Sequence, residues 1–578
     1  MRLNRKPSLL LALASTVVLL GVGGLTFWLV SRRPLNNQAL PVGASAIPVD
    51  ALAVVTLSSD TNQWQRLRQF GNVSSRAQFD QLVGQWRDRL VTQSGLDFAK
   101  DVQPWLGEEV TLALLPANDP EPLAELPAAL ALPEGLASSP WIALISIKDG
   151  AGAQVKLADR LVSAQSIDPN PYRGIPLQQL GTDPDQRLYV AVLNADLALV
   201  SARVDWVKRG IDSWRSGQSL AGVPGFVRAF EQLLEANPLV RLYLDVPMAV
   251  TALSQAVEPP LAPNRLQALQ SPRSLAGTLS LKNQKLHLQA LSWLDQGSPG
   301  FTTGNRADQM PQRLPANSLV MLSVGDFQQF WQDFKAGQQL SALFPFRPED
   351  LSLTLQSTTG LSLEEDLLPW MAGEVALAVL APPRQTQPPG NLPLPNPALV
   401  LMVKSSDRTA ADSTLKRLDE VIANRYRFAV DAVNLGGVAV TRWTAPFDSL
   451  TLAHGWLAGD VVFLTAGQGI AELVAPRPSR SLAQMTAFQT TTGDAPRPNN
   501  GHFFVDLAGL AKADNQLLLP PLPSQGLFSV TGLEAMGVTA TVLSDRQVRY
   551  DVTLNLKRGD RLANPPDPQP ESPAPNSE

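Results

Sequence analysis

The sequence contains no cysteine among its 578 residues. This absence excludes disulfide bonds, thiol nucleophiles, thiolate zinc sites and iron–sulfur clusters. Proteins of oxidising compartments outside the cytoplasm often avoid unpaired thiols, although cytoplasmic proteins without cysteine also exist. The absence therefore agrees with a location outside the cytoplasm without establishing it.

Charge is also sparse. Charged residues make up 17% of the chain, hydrophobic residues make up 44%, and the formal net charge is −5. No run of lysine and arginine is longer than two residues. Nucleic-acid binding requires a clustered basic surface, so we expect no nucleic-acid partner. The apolar content is typical of a folded, globular chain.

Familiar catalytic motifs are missing as well. The chain has neither a Gly-x-Ser-x-Gly elbow nor a phosphate loop that ends in Gly-Lys-Ser/Thr. Its histidines are His287, His454 and His502, and none has a second histidine at metal-ligand spacing. We expect these histidines to lie at the surface or to be hydrogen bonded. We predict no metal or cofactor and assign no catalytic residue.

One long apolar run stands near the start of the chain. Leu9 to Val30 carries no charge and would form a helix of about 33 Å, enough to cross a hydrocarbon core of about 30 Å. Arg2, Arg5 and Lys6 precede it and favour a cytoplasmic N-terminus. We therefore predict an uncleaved transmembrane anchor over residues 9–30, with the bulk of the chain on the periplasmic or luminal side. A cleaved signal peptide is the alternative, but its apolar region is usually shorter.

The chain also contains two similar segments, residues 95–116 and 360–381. They read GLDFAKDVQPWLGEEVTLALLP and GLSLEEDLLPWMAGEVALAVLA, with ten identities at a constant offset of 265. Weaker matches keep the same order through both halves of the chain, at offsets from 256 to 267. Conserved order over this length indicates duplication of one folding unit. A chain of this size also exceeds what a single hydrophobic core usually supports.

The predicted fold class is α+β: an N-terminal transmembrane helix followed by two tandem homologous repeats with largely antiparallel sheets. Short apolar runs predict strands, and Asp60 and Asp326 stand where helices would begin. The apolar and polar residues of 285–290 alternate, which predicts one buried and one solvated sheet face. The predicted segments are cytoplasmic 1–8, anchor 9–30, linker 31–46, repeat 47–296, linker 297–313, repeat 314–557 and disordered tail 558–578.

The polar candidates are acids that recur in both copies. Asp101 and Glu109 are eight residues apart, as are Asp366 and Glu374. Paired carboxylates serve as general acid and base when their environments separate their pKa values. The competing interpretation is structural, in which the aspartates stabilise a turn and the glutamates begin a strand.

The same segments each contain a tryptophan. Trp105 and Trp370 precede apolar strands, so we expect core anchors rather than ligand platforms. With the four acids, they are the candidate site residues.

The Gly-Leu-x4-Asp-x2-Pro-Trp-x3-Glu-Val element and the N-terminal anchor resemble those of a bacterial family called domain of unknown function 3352, which is frequent in cyanobacteria. The resemblance covers roughly residues 47–557 and implies a membrane-anchored protein, but it implies no catalytic residues. Our first hypothesis is a binding or scaffolding protein of the cell envelope that captures a protein, lipid or envelope component. The alternatives are a carboxylate-dependent envelope hydrolase and a purely structural envelope protein.

Overall fold

The computed structural model describes most of the chain between residues 40 and 558. The described residues are 40–70, 76–77, 100, 102–116, 140–148, 170–180, 187–256, 272–294, 297, 300–301, 304–335, 348–382, 398–448, 450–513 and 532–558. The predicted anchor, residues 559–578 of the predicted tail, and Asp101 lie outside these residues. We call residues 40–294 the first half and residues 304–558 the second half.

The described strands belong to one large, wholly antiparallel sheet. Most are short apolar runs that alternate between the two sheet faces. In the first half they are β1 (Ala53–Ser58), β2 (Leu106–Leu114), β3 (Trp141–Ile147), β4 (Gln178–Leu180), β5 (Leu188–Asn194), β6 (Leu197–Ser201), β7 (Val240–Asp245), β8 (Pro272–Lys282) and β9 (Lys285–Leu294). In the second half they are β10 (Ser318–Val324), β11 (Val375–Leu380), β12 (Leu399–Lys404), β13 (Ala429–Leu435), β14 (Val438–Thr444), β15 (Thr451–Leu457), β16 (Val461–Ala466), β17 (Gly501–Val505), β18 (Leu533–Ser544) and β19 (Gln547–Leu556).

The two halves arrange their described strands in corresponding spatial order. Outward from the middle of the sheet, the first half runs β9-β8-β7-β1-β2-β3-β6-β5-β4. The second half runs β19-β18-β17-β10-β11-β12-β16-β15-β14, followed by β13 at the edge. In the first half, β1, β2 and β3 therefore lie between the later strands β7 and β6. In the second half, β10, β11 and β12 lie between β17 and β16.

The halves meet through their last strands. β9 pairs antiparallel with β19 over nine residue pairs, from Trp293 opposite Gln547 to Lys285 opposite Asn555. Because this ladder is as long as those within each half, the sheet passes from one half to the other without an edge. Neither of these last strands is left as an open edge there, and open edges are prone to pairing with other chains.

Helices and short turns connect the strands. The described helices are α1 (Thr61–Leu67), α2 (Val204–Ser216), α3 (Pro224–Gln232), α4 (Val246–Ala256), α5 (Met310–Arg313), α6 (Phe327–Lys335), α7 (Pro348–Thr359), α8 (Arg408–Tyr426), α9 (Ala471–Val474), α10 (Thr486–Thr492) and α11 (Leu507–Ala513). Asp60 accepts a hydrogen bond from the amide of Asn62, and Asp326 accepts one from Gln329. Both aspartates thus satisfy free N–H groups at helix starts, as the sequence predicted.

Each half has its own main core on the same face of the sheet. In the first half, Phe226 and Phe230 of α3 pack with Tyr243 and other buried strand residues. In the second half, Phe488 of α10 packs with Phe504 and with Met310 of α5. The short helix α5 falls within the segment 297–313 and contributes directly to that core.

The α+β class and the antiparallel sheet are confirmed. Among the described residues, no helix combines the length and apolarity needed to cross a membrane. The expectation of a solvated face on the strand at 285–290 is wrong for His287, which is only 4% exposed. Its face is covered because β19 continues the sheet and α3 and α10 cover the same side, which the alternation within one strand could not reveal.

Candidate functional site

The two tryptophans anchor the turn that leads into β2 and β11. Trp105 is buried against Val102, Ile147 and Ala198, and its carbonyl accepts a hydrogen bond from the amide of Lys148. Trp370 is buried in a separate cluster, and its carbonyl accepts a hydrogen bond from Ser406. Each tryptophan, through its ring and its carbonyl, therefore joins the start of one strand to the end of the next.

Glu109 forms a partly buried ion pair at the start of β2. Its carboxylate accepts a hydrogen bond from Arg241 of β7, and the two side chains are 18% and 12% exposed. Burial raises the pKa of the Glu109 carboxyl, although the charge of Arg241 and a hydrogen bond from the Val42 backbone oppose the rise. The carboxylate thus ties two strands to the segment that precedes β1.

Glu374 occupies the corresponding place before β11 but has different partners. It is 2% exposed and accepts hydrogen bonds from the backbone amides of Asp308, Gln309 and Met310, at 3.1, 2.9 and 3.1 Å. Burial raises the pKa of its carboxyl, and the same three hydrogen bonds limit the rise. Glu374 therefore fixes the first turn of α5 rather than facing an open site.

Asp366 has a third kind of environment. Its carboxylate accepts a hydrogen bond from the amide of Ser362 at 2.7 Å and also pairs with Arg417 of α8. Burial alone would raise the pKa of Asp366, but these two hydrogen bonds and the charge of Arg417 lower it. Asp366 and Glu374 thus bond to different segments, and the structure does not join them as an acid–base pair.

A buried cluster of charged residues, which the sequence did not predict, lies where the halves meet. Asp551 of β19 is 2% exposed and accepts two hydrogen bonds from Arg549, at 2.7 and 2.8 Å. The Nε2 atom of His287 of β9 lies 3.3 Å from the same carboxylate. Burial alone would raise the pKa of Asp551, but His287 and Arg549 lower it. The contact between His287 and Asp551 thus places a side chain of the first half against a carboxylate of the second.

This cluster belongs to a polar row that crosses the sheet. Directly opposed residues on eight neighbouring strands are polar, namely Thr111, Thr56, Arg241, Thr278, Gln289, Asp551, Thr539 and His502. Burial lowers the pKa of His502 to about 4, although the charge of Asp308 opposes the change, so its imidazole is neutral near pH 7. The row separates the two apolar cores on this face.

The cluster contains serine, histidine and aspartate, but not as a catalytic triad. Ser280 lies opposite His287, yet its buried hydroxyl has no hydrogen-bond partner within the described part of the chain. The Nδ1 atom of His287 lies 3.5 Å from Nζ of Lys282 instead. A nucleophilic serine needs a hydrogen bond to its base. The arrangement therefore supports packing between halves rather than acyl transfer.

Sequence reasoning missed Arg241, Arg549 and Asp551, and it did not place His287 in a buried cluster. One signal was available for Arg241, because it alternates with Tyr243 and so shares a face of β7 with that buried residue. A charged side chain on such a face usually has a charged partner. The partner, Glu109, is 132 residues away, and no local pattern identifies it.

The comparisons with known proteins identify the family. A family model described as protein of unknown function (DUF3352) matches residues 12–556. The chain therefore belongs to this family. No curated protein matches the chain.

Three solved structures, crystal forms of a protein called TP0453, share limited similarity with the chain. Form IV has 11% identity and a TM-score of 0.22 and covers 45% of this chain and 83% of its own. Form III has 12% identity and a TM-score of 0.22 over 45% and 82% of the two chains. Form I has 10% identity and a TM-score of 0.23 over 46% and 83%. Likeness at this level carries no functional argument.

Proposed function

We propose that this protein is a binding or scaffolding protein of the cell envelope, anchored by residues 9–30 and built from two homologous repeats outside the cytoplasm. The observation that carries the proposal is the ladder between β9 and β19, which joins both halves into a single sheet. A continuous sheet holds the surfaces of the two halves at fixed relative positions, as a scaffold requires. The corresponding strand order of the halves supports the origin by duplication.

The surroundings of the shared acids favour binding over hydrolysis. Glu109 is bonded to Arg241, Glu374 to three backbone amides, and Asp366 to Ser362 and Arg417. A general acid or base must reach the proton that it transfers. Carboxylates already committed to the fold support a structural role for the Pro–Trp elements.

The location is tested with right-side-out membrane vesicles that contain the full chain. We expect the protein to resist extraction by carbonate, to dissolve in detergent and to be digested by protease added outside. A variant that lacks residues 9–30 is expected to leave the membrane. Protection from external protease, or release of the full chain by carbonate, would contradict the proposed anchoring and orientation.

The binding role is tested by crosslinking in the native membrane. We expect the full chain to give a reproducible crosslinked envelope component, and Glu109→Gln and Asp366→Asn to retain it because both changes preserve shape. A hydrolytic activity on envelope material that these substitutions abolish, without loss of folding, would replace the binding proposal with the hydrolase.

A further inference from the structure

A surface cavity of about 330 Å³ lies beside α5 in the second half. Its lining residues come from three places: the α5 segment, the end of β15 and the chain after α9. They are Gln309, Gln312, Arg313, Leu457, Pro476, Arg477 and Pro478. The volume is near the lower end of what small-molecule sites occupy.

Two positive charges line this cavity without a negative one. Within the part of the chain that the structure describes, neither Arg313 nor Arg477 forms an ion pair or a side-chain hydrogen bond. The lining contains no aspartate or glutamate. Four other arginines of this half have acidic partners, namely Arg408, Arg417, Arg442 and Arg549. Two unneutralised guanidinium groups at one cavity favour an anionic ligand.

The fold holds both arginine-bearing walls in place. Glu374 fixes the amides of residues 308–310 and thereby the start of α5, which carries Arg313. The amide of Ala316 donates to the carbonyl of Arg480, and the amide of Leu482 donates to that of Leu314. These bonds join the chain after α5 to the chain after Arg477. A preformed site loses less conformational entropy when its ligand binds.

A tight contact supports the proline side of the cavity. A Cβ atom placed on Gly436, in the turn between β13 and β14, would lie 2.8 Å from Cδ of Pro476. The turn therefore packs directly against this proline. Glycine is required there because its φ of +58° is also unfavourable for other residues.

The chemistry of the lining suggests the kind of anion. Guanidinium groups form paired hydrogen bonds with phosphate oxygens, and two of them match the double charge of a phosphate monoester. The carboxamides of Gln309 and Gln312 can bond to hydroxyl groups. Leu457, Pro476 and Pro478 supply apolar contacts for a short carbon chain.

We propose that this cavity binds a small polyol phosphate monoester, with its phosphoryl group between Arg313 and Arg477. The same chemistry occurs in a free metabolite and in a lipid headgroup. The inference depends on neither the anchor nor the duplication, so its failure leaves the proposed function untouched.

The test is isothermal titration calorimetry of the full chain in detergent micelles at low ionic strength. The probes are glycerol 3-phosphate and dihexanoyl phosphatidic acid. We expect saturable binding of one molecule per chain. Tighter binding of glycerol 3-phosphate indicates a soluble ligand, and tighter binding of the short-chain lipid indicates a headgroup.

Substitutions assign the binding to the cavity. Arg313→Gln and Arg477→Gln should each weaken the binding of the better probe at least tenfold, and the double variant should abolish it. Arg203→Gln removes the same charge from an exposed arginine in the first half and should change nothing. Thermal unfolding checks that the variants keep their fold. Absence of binding by both probes, or unchanged affinity in a folded double variant, would overturn the proposal.

Discussion

Glutamates at matching sequence positions in the two halves have different partners. Glu109 lies near the start of β2 and Glu374 lies directly before β11, each after a Pro–Trp turn, and both hold the segment that leads into the first strand of their half. In the first half the carboxylate also pairs with Arg241, whereas in the second it accepts hydrogen bonds only from amides. In both halves the glutamate therefore holds a chain segment in place, although its partners differ.

The residue that faces the glutamate in the first half, and its counterpart in the second half, also differ. Arg241 lies on β7 opposite Thr56 and Thr278, while His502 lies on β17 opposite Thr539 and donates its amide to Ser323. In the first half Glu109 pairs with a charged arginine. In the second half Glu374 is bonded to backbone amides, and the corresponding position carries the neutral His502. The first half thus relies on an ion pair, and the second relies on backbone hydrogen bonds and an uncharged imidazole.

The largest expected effect comes from Glu374→Ala. It removes the acceptor of three amides at α5 and should lower the free energy of unfolding by about 4 kcal/mol, since each unsatisfied buried donor costs roughly 1–3 kcal/mol. Chemical denaturation measures this loss. Glu374→Gln is the matched control: it keeps one oxygen acceptor and should lose about half as much. Equal stability of the alanine variant and the natural chain would refute the role of Glu374.

His502 should make the second half sensitive to acid. Its pKa is about 4 in the folded protein against 6.5 for the ordinary side chain. The unfolded state therefore binds the proton more tightly, and stability falls as the pH decreases from 6.5 towards 4, by about 3 kcal/mol at most. Hydrogen exchange at several pH values should detect the loss in residues 501–505. His502→Gln should remove most of this pH dependence; a pH dependence retained in full by that variant would exclude His502 as its source.

Arg241→Met should destabilise the first half by about 2 kcal/mol, because it leaves the Glu109 carboxylate partly buried and without its charged partner. This loss of stability is smaller than that expected for a fully buried ion pair, because both side chains are partly exposed. The double variant Glu109→Leu with Arg241→Met should recover most of the loss. Denaturation of the two single variants and the double variant gives the coupling; additive losses would show that the pair does not interact.

The smallest expected effect is a pH dependence with the opposite sign. Burial raises the pKa of Glu109 above the ordinary 4.5, so the folded state binds this proton more tightly than the unfolded state. Its contribution is greatest below 4.5 and is lost as the pH rises through the raised pKa. Glu109→Gln should therefore make stability rise more steeply with pH just above pH 4.5, because it removes a contribution that falls there. A shallower rise in this variant would mean that the Arg241 charge outweighs burial.

The sequence predicted those features that depend on neighbours along the chain. Asp60 and Asp326, for example, mark helix starts. It also predicted that Glu109 and Glu374 occupy matching positions, without revealing their partners. Those partners lie 132 and 64–66 residues away and are set by sheet order.

The burial of His287 was beyond local reasoning for the same reason. An alternating strand has a solvated face only if nothing covers it. Here β19 continues the sheet past β9 and brings Asp551 to His287, a contact that only the joining of the halves produces. The cavity beside α5 likewise combines residues 309–313 with 457 and 476–478.

Hydrogen exchange of the amides in β9 and β19 tests most directly whether the two halves form one body. If the sheet is continuous, residues 285–294 and 547–556 should exchange as slowly as the interior strands β1 and β10. Exchange of both segments at the fast rate of unpaired edge strands would contradict the continuous sheet, and with it the scaffold that we propose.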